Sequence, residues 1–348
     1  MPRPMSSNVT IAEIARNAGV GTATVDRVLN GRTGVNSETE RKVLQAIDNL
    51  GTPIVTRGRP RSKENWKFAY VLPDLQSPYL NQLERHIAQT AGDFRHQHIT
   101  EITYRLDASD PAEFGLALGR IGGCDAMVLV APDVPAVKLA INDQVRAGVH
   151  VVTLFSDVAG SMRQAHVGAD SRAEGRTAGL LLGRMARPGP RSVLLLLSTA
   201  TRMSNEIERR IGFAQVVEDR FPALEVVRLS DLPADDEDAC DHLVHHLQTQ
   251  LAASQISGVY CVGGATAGTA KALAHLSLTT EVPLVAHDLT TTHQTMLVDG
   301  SLAFVLHQDV HYCVLTAART LRGLCENIRG APNVVQPRVE ILTAENLH

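Results

Sequence analysis

Aromatic residues are scarce in this chain: Phe, Trp and Tyr together make up 4% of it, and Trp66 is the sole tryptophan. So few rings cannot supply the successive platforms on which single-stranded nucleic acids stack. Long apolar runs are missing too. None reaches the roughly 18–20 residues needed to span a bilayer, so no membrane partner is expected. Met1 to Thr10 holds Pro, Ser and Asn but no apolar core, unlike a secretory signal, and a cytoplasmic location is the expectation. The five cysteines (Cys124, Cys240, Cys261, Cys313 and Cys325) are odd in number, scattered and without a Cys-x-x-Cys pair. They read as free thiols rather than zinc or redox sites. No Gly-x-Ser-x-Gly elbow, phosphate loop with Lys-Ser/Thr or paired-carboxylate pattern is present, so no enzymatic activity, metal or cofactor is expected.

What the chain does have is length and an uneven charge. At 348 residues it exceeds what one hydrophobic core usually supports, which predicts a small domain and a large one. The net charge of -4 hides an asymmetry: residues 1–63 carry ten basic and five acidic side chains, and the remainder 23 and 32. A basic segment of +5 ahead of a body of -9 implies that only the first part meets a polyanion.

Within that segment Thr10 precedes the periodic Ile11, Ile14, Ala15 and Ala18, and Glu13 lies three residues on, the pattern of a capping box. Gly19 closes this helix where a left-handed residue is needed. A second helix is predicted from about Thr22 to Leu29. A third runs from Ser37 to Leu50, with Ser37 as cap and Val43, Leu44, Ile47 and Leu50 facing inward. Two short helices joined by a tight turn form a helix-turn-helix, whose second member can enter a major groove. The same spacing also serves protein-interaction bundles.

The residues themselves go further. Val9-Thr-Ile-Ala-Glu-Ile-Ala, Ala18-Gly-Val, Thr24-Val-Asp-Arg-Val-Leu-Asn-Gly31 and Val35-Asn-Ser-Glu-Thr resemble the headpiece of the lactose-repressor (LacI/GalR) family. The resemblance implies double-stranded operator DNA as partner. It places Thr22, Ala23 and Arg27 at base-reading positions and Thr10, Thr24 and Asn30 at phosphates. Residues 1–51 are then the headpiece and 52–65 a basic Gly/Pro linker. The linker lacks the Ala-Arg-x-Leu of the family's hinge helix, so Arg57 and Arg59 would face a narrow minor groove or phosphates instead, or only solvent.

From residue 66 to 348, short Val- and Leu-rich runs alternate with amphipathic stretches, as in doubly wound parallel sheets. The runs are Phe68–Leu72, Met127–Val130, Val149–Leu154, Val193–Leu197, Val259–Val262 and Val282–Ala286. Their number favours two lobes over one, with a ligand where strand ends face each other. The arrangement resembles the sugar-binding core that this family shares with periplasmic binding proteins. By that resemblance Asp74, Tyr79, Phe155, Asp170, Arg209, Asp288 and Gln308 line an effector cleft for a sugar or polyol. Gly263-Gly-Ala-Thr266 stands where relatives carry Asn-Asp, which would leave that side of the cleft without a polar side chain. His242, His245 and His246 share a helix face and read as a solvated surface. The resemblance implies a homodimeric repressor whose DNA affinity is set by a metabolite. A metabolite-activated or constitutive DNA binder, or an α/β enzyme, is the alternative.

Overall fold

The computed structural model describes residues 10–29, 35–50, 65–75, 77–94, 98–187, 192–199, 203–249, 255–328 and 334–347. The chain divides into two compact units, Met1–Glu64 and Asn65–His348.

The described residues of the first unit form helices α1 (Ile11–Ala18), α2 (Thr22–Leu29) and α3 (Ser37–Asn49). Thr10 accepts from the Glu13 amide at 3.3 Å, and the Glu13 carboxylate accepts from the Thr10 amide at 2.7 Å. Gly19 closes α1 at φ 67°, a conformation that costs glycine little. Asn36, rather than Ser37, caps α3: its carboxamide oxygen accepts from the Thr39 amide at 2.8 Å. Either residue type caps well, and chain entry sets Asn36 one position outside the helix. Ile14, Ala15, Val25, Val43 and Ile47 form the core, with Leu50 packed against it. Leu44, expected inside, is half exposed, and Ala46 is buried instead. At 100° per residue, positions 43, 46, 47 and 50 share one face and 44 falls on its flank.

The second unit has two lobes. Lobe 1 contains β1 (Trp66–Asp74), α4 (Pro78–Phe94), β2 (Ile99–Asp107), α5 (Pro111–Arg120), β3 (Ala126–Leu129), α6 (Pro135–Arg146), β4 (His150–Leu154) and β5 (Ala165–Val167). The strands are parallel in the order β2-β1-β3-β4-β5. Lobe 2 contains α7 (Ser171–Met185), β6 (Val193–Thr199), α8 (Ser204–Arg220), β7 (Glu225–Leu232), α9 (Asp236–Thr249), β8 (Ile256–Cys261), α10 (Thr266–His275), β9 (Leu284–His287), α11 (Thr291–Val298) and β10 (Phe304–His307). It repeats the order as β7-β6-β8-β9-β10, and β11 (Glu340–Leu342) adds an antiparallel edge beside β10. Helix α12 (Val310–Cys325) returns to lobe 1, where Cys313, Val314, Ala317 and Leu321 join its core.

Alternation along the central strands fills both faces of each sheet. Phe68, Tyr70 and Leu72 enter one core layer of lobe 1, while Ala69 and Val71 enter the other. Val193, Leu195 and Leu197 of β6 face one layer of lobe 2, and Leu194 and Leu196 the opposite one. Burial on both faces explains why these strands read as continuous apolar runs. Among the described residues no helix is long and apolar enough to cross a membrane.

Candidate functional site

Parallel strands deliver their carboxyl ends to one rim of each lobe. Directly after β4 stands Phe155, and directly after β9, the equivalent strand of lobe 2, stands Asp288. Both take positive φ, 60° and 64°. A non-glycine residue held there costs on the order of 1 kcal/mol or more, so the surrounding packing must fix it. Phe155 meets Tyr79, from the first turn of α4, edge to face at 5.7 Å. The two chain crossings between lobes also correspond. Asp170 caps α7 through the Ala173 amide, and Asp309 caps α12 through the Tyr312 amide. Gln308 ties the crossings together, its side-chain oxygen accepting from the Ala169 amide at 3.1 Å.

A charged cluster occupies the lobe 2 side. Arg209 of α8 donates from Nε to Glu174 of α7 at 2.7 Å and from Nη1 to the Val262 carbonyl at 3.2 Å. Both charged side chains are almost fully buried. Two glycines allow this pairing. A Cβ at Gly175 would sit 1.9 Å from the Arg209 carbonyl oxygen, and one at Gly212 would sit 2.1 Å from that of Arg172. Only bare backbone lets α7 and α8 approach closely enough for Glu174 to reach Arg209. Beyond the pair, the Tyr260 hydroxyl and His287 Nε2 lie 2.6 Å apart.

The cluster leaves bonding capacity unused. Buried without a hydrogen-bond partner are Arg209 Nη2, Glu174 Oε1, Asp288 Oδ1 and Tyr79 Oη. Burial pushes the Glu174 and Asp288 carboxyls up, against the pull of Arg209 on each. Burial opposes the charge on Arg209 as well, but Glu174 and Asp288 outweigh it and hold the guanidinium protonated. Burial, then Arg209, pushes His287 well below the ordinary histidine value and keeps it neutral. Burial, then Asp288, drives the Tyr79 phenol well above its usual value, so it remains a donor. Unpaired buried polar atoms are costly, and these groups have the capacity to pair with the donors and acceptors of a bound molecule. It would receive a guanidinium donor, carboxylate acceptors, a phenol and the apolar Phe155 ring.

The mouth of the cleft is a cavity of about 130 Å³ whose lining includes Asp157, His166, Asp170, Arg172, Ser204 and Asn205. Asp157 is gripped by both Arg163 Nε and Nη2 and accepts from Thr153 Oγ1 at 2.8 Å. Here the lobes touch. The residue at the cap position of α8, Met203, makes no side-chain cap, but Ser156 of lobe 1 accepts from the Ser204 amide at 3.1 Å. The same Ser156 hydroxyl donates to the Ala131 carbonyl at 3.0 Å. One lobe thus caps the helix that carries Arg209 in the other.

Among the residues singled out from sequence, Tyr79, Arg209 and Asp288 converge on the cluster, with Phe155 beside Tyr79. Gln308 joins the crossings through its side-chain oxygen and also hydrogen-bonds Asp288, which brings it to the edge of the cluster. Asp170 is primarily a helix cap at the mouth. Asp74 is exposed at the end of β1, where it adds to the larger effect of Glu84 in raising the Arg105 pKa, and it makes no described contact with the cluster. Sequence reading missed Glu174, Tyr260 and His287: a glutamate in the first turn of a helix passes for a capping partner, and the other two lie inside apolar strands. Gly263 does not leave empty space, because the Glu206 carboxylate lies 2.5 Å from where a Cβ would stand.

In the first unit Thr10, Thr22, Ala23 and Arg27 are exposed, Thr24 is half-buried and Val25 faces the core. Helix α2 therefore presents Thr22, Ala23 and Arg27 outward. Asn30, Arg57, Arg59 and the linker up to residue 64 lie outside the described residues.

Comparison with known proteins follows the same division. Residues 68–327 match the family model described as periplasmic binding protein domain, and residues 10–51 that of bacterial regulatory proteins of the lacI family. Catabolite control protein A of Priestia megaterium is 37% identical over 94 residues, 26% of this chain and 28% of that protein. The HTH-type transcriptional regulator MalR of Streptomyces coelicolor is 42% identical over 79 residues, 23% of this chain and 22% of its own. These matches span 28% and 22% of the two relatives' own lengths. In three dimensions, GanP, a glucose-galactose binding protein from Geobacillus stearothermophilus, superimposes with a TM-score of 0.71 at 16% identity, covering 82% of this chain and 99% of that one.

Proposed function

Because this chain belongs to the periplasmic-binding-protein domain family and carries the lacI-family DNA-binding region ahead of it, we propose that it is a cytoplasmic transcription regulator whose affinity for operator DNA is set by a sugar or polyol. The observation that carries the effector half is the set of four unpartnered buried atoms on Tyr79, Glu174, Arg209 and Asp288. A ring bearing hydroxyls satisfies donors and acceptors together and lays an apolar face on Phe155. Glucose and galactose, named for GanP, have that chemistry.

In the DNA half, Arg27 donates to a guanine edge, while Thr22 and Ala23 read neighbouring bases and Thr10 and Thr24 hold phosphates. One headpiece covers too little surface for tight binding, so two copies dock on a palindromic site as a homodimer. Ligand shifts DNA affinity only through its different affinities for the two arrangements of the lobes.

Titration calorimetry of the whole chain against monosaccharides and polyols tests the effector half. One class binds, and Asp288→Ala weakens it by about tenfold or more, the usual cost of a lost charged hydrogen bond. Unchanged affinity in that variant removes Asp288 from the site. For the DNA half, selection from random duplexes yields a preferred palindrome. Arg27→Ala loses that preference if it reads bases; a preference equally strong in the variant sinks the assignment. Repeating the DNA titration with the bound sugar present distinguishes release from promotion.

A further inference from the structure

The charged cluster and the cleft mouth do not exhaust the space between the lobes. A second cavity of about 180 Å³ lies between α4 of lobe 1 and the start of α11 of lobe 2. Gln82, Arg85, His86 and Gln89 line it from one side, Thr291 and Gln294 from the other. The His311 ring of α12 stands 6.0 Å from that of His86. His86 Nδ1 is buried and has no hydrogen-bond partner. In the first turn of α11 the Thr290 hydroxyl accepts from the His293 amide, and the amides of Thr291 and Thr292 are those an α-helix leaves without internal acceptors.

Among the described residues the lining contains no carboxylate and no Phe, Tyr or Trp ring, so it suits neither a metal ion nor a sugar face. The acid nearest to His86 in effect is Asp309, whose carboxylate already accepts from the Tyr312 amide. Asp288, beside Leu289, is drawn to Arg209. Burial, with His311 and Arg85, holds His86 below the ordinary histidine value. A bound anion would supply the counter-charge this group lacks. Neutral amides from Gln82, Gln89 and Gln294 add donors without adding charge.

We propose that this cavity is a second ligand site, separate from the sugar cleft, which takes a small oxyanion: free phosphate or the phosphate group of a phosphorylated metabolite. Arg85 provides the fixed charge, His86 and the α11 amides provide directed donors, and Gln294 closes the site from the opposite lobe. Since both lobes contribute, the anion stabilises the relative position in which they meet, and it acts on the same lobe arrangement as a sugar in the cleft.

Calorimetry on the full chain at constant ionic strength tests this with inorganic phosphate, glucose and glucose 6-phosphate as probes. Phosphate binds saturably, Arg85→Ala weakens it by about tenfold, as expected for a charge-assisted contact, and Arg172→Ala at the cleft mouth leaves it unchanged. Glucose 6-phosphate binding that needs Arg85, without binding of phosphate alone, identifies the occupant as the phosphate group of a larger ligand. Arg85 is exposed, so its removal leaves the fold intact; Gln294→Ala is the independent variant from lobe 2. No binding of either anion, or equal binding to wild type and both variants, overturns the proposal.

Discussion

The two lobes have the same strand order, and each puts a residue with positive φ directly after its fourth strand, yet they contribute opposite chemistry. Lobe 1 places Phe155 there and Tyr79 beside it; lobe 2 places Asp288 there, with Arg209 and Glu174 behind. Backbone repetition builds a symmetrical rim, and side chains divide it into an apolar wall and a charged one. The lobes also treat their acids differently, a half-buried one in lobe 1 and a fully buried one in lobe 2. Glu101 of β2 is held by the Tyr70 hydroxyl at 3.0 Å, whereas Glu174 is held by a guanidinium. A repeated scaffold therefore says where a ligand can sit, and the differences between its halves say what kind of ligand.

The largest effect should come from the lobe 2 ion pair. Arg209→Ala strands Glu174 in the interior and should cost about 3–5 kcal/mol of stability, read from urea unfolding. Replacing both partners, Arg209→Met with Glu174→Leu, should regain most of that stability without restoring sugar binding. A loss below about 1 kcal/mol in the single variant would mean that water already reaches the pair.

Glycines sharpen the contrast next. Gly212→Ala forces α7 and α8 apart and should destabilise by about 1–3 kcal/mol while weakening sugar binding. In lobe 1, Gly119→Ala in α5 meets nothing within 4 Å and should be neutral or stabilising by about 0.5–1 kcal/mol. Equal behaviour of the two would refute the close-approach role.

Glu101 offers a pH test. Burial outweighs the Tyr70 hydrogen bond and raises its carboxyl to about 7. The folded chain then retains a proton that the unfolded chain has released, so stability falls as pH rises from the ordinary glutamate value to about 7. In Glu101→Gln this contribution is absent, and the difference between the two unfolding curves should vanish below that window. A wild-type slope no steeper than the variant's across it would show that Glu101 ionises normally.

The smallest effect is the cap between lobes. Ser156→Ala removes the acceptor for the Ser204 amide, worth about 1 kcal/mol, and should shift the lobes toward open forms in small-angle scattering. An unchanged scattering profile would show that the cap does not hold the lobes together.

Legibility in the sequence followed burial and locality. The central strands β1, β3, β4, β6, β8 and β9 are apolar enough to find by inspection. The edge strands β2 and β7, half exposed with mixed polarity, did not stand out as apolar runs. Helix ends with local caps, such as Thr10 with Glu13 and Asp170 before α7, were readable because both partners lie within one turn. Leu44 lies outside the buried face, because apolar residue type alone does not say where the buried arc of a helix ends.

By itself the sequence determined the kinds of elements, their order and a helix whose exposed face carries Thr22, Ala23 and Arg27, since periodicity and capping act over a few residues. Only the tertiary structure decided that Glu174 meets Arg209 thirty-five positions away, that Gln308 joins the crossings beside Asp288, and that Ser156 caps a helix of the other lobe. Each of these contacts depends on which distant surfaces pack together and how closely glycine lets them approach. That information resides in the summed burial of two cores, which no short stretch of chain contains.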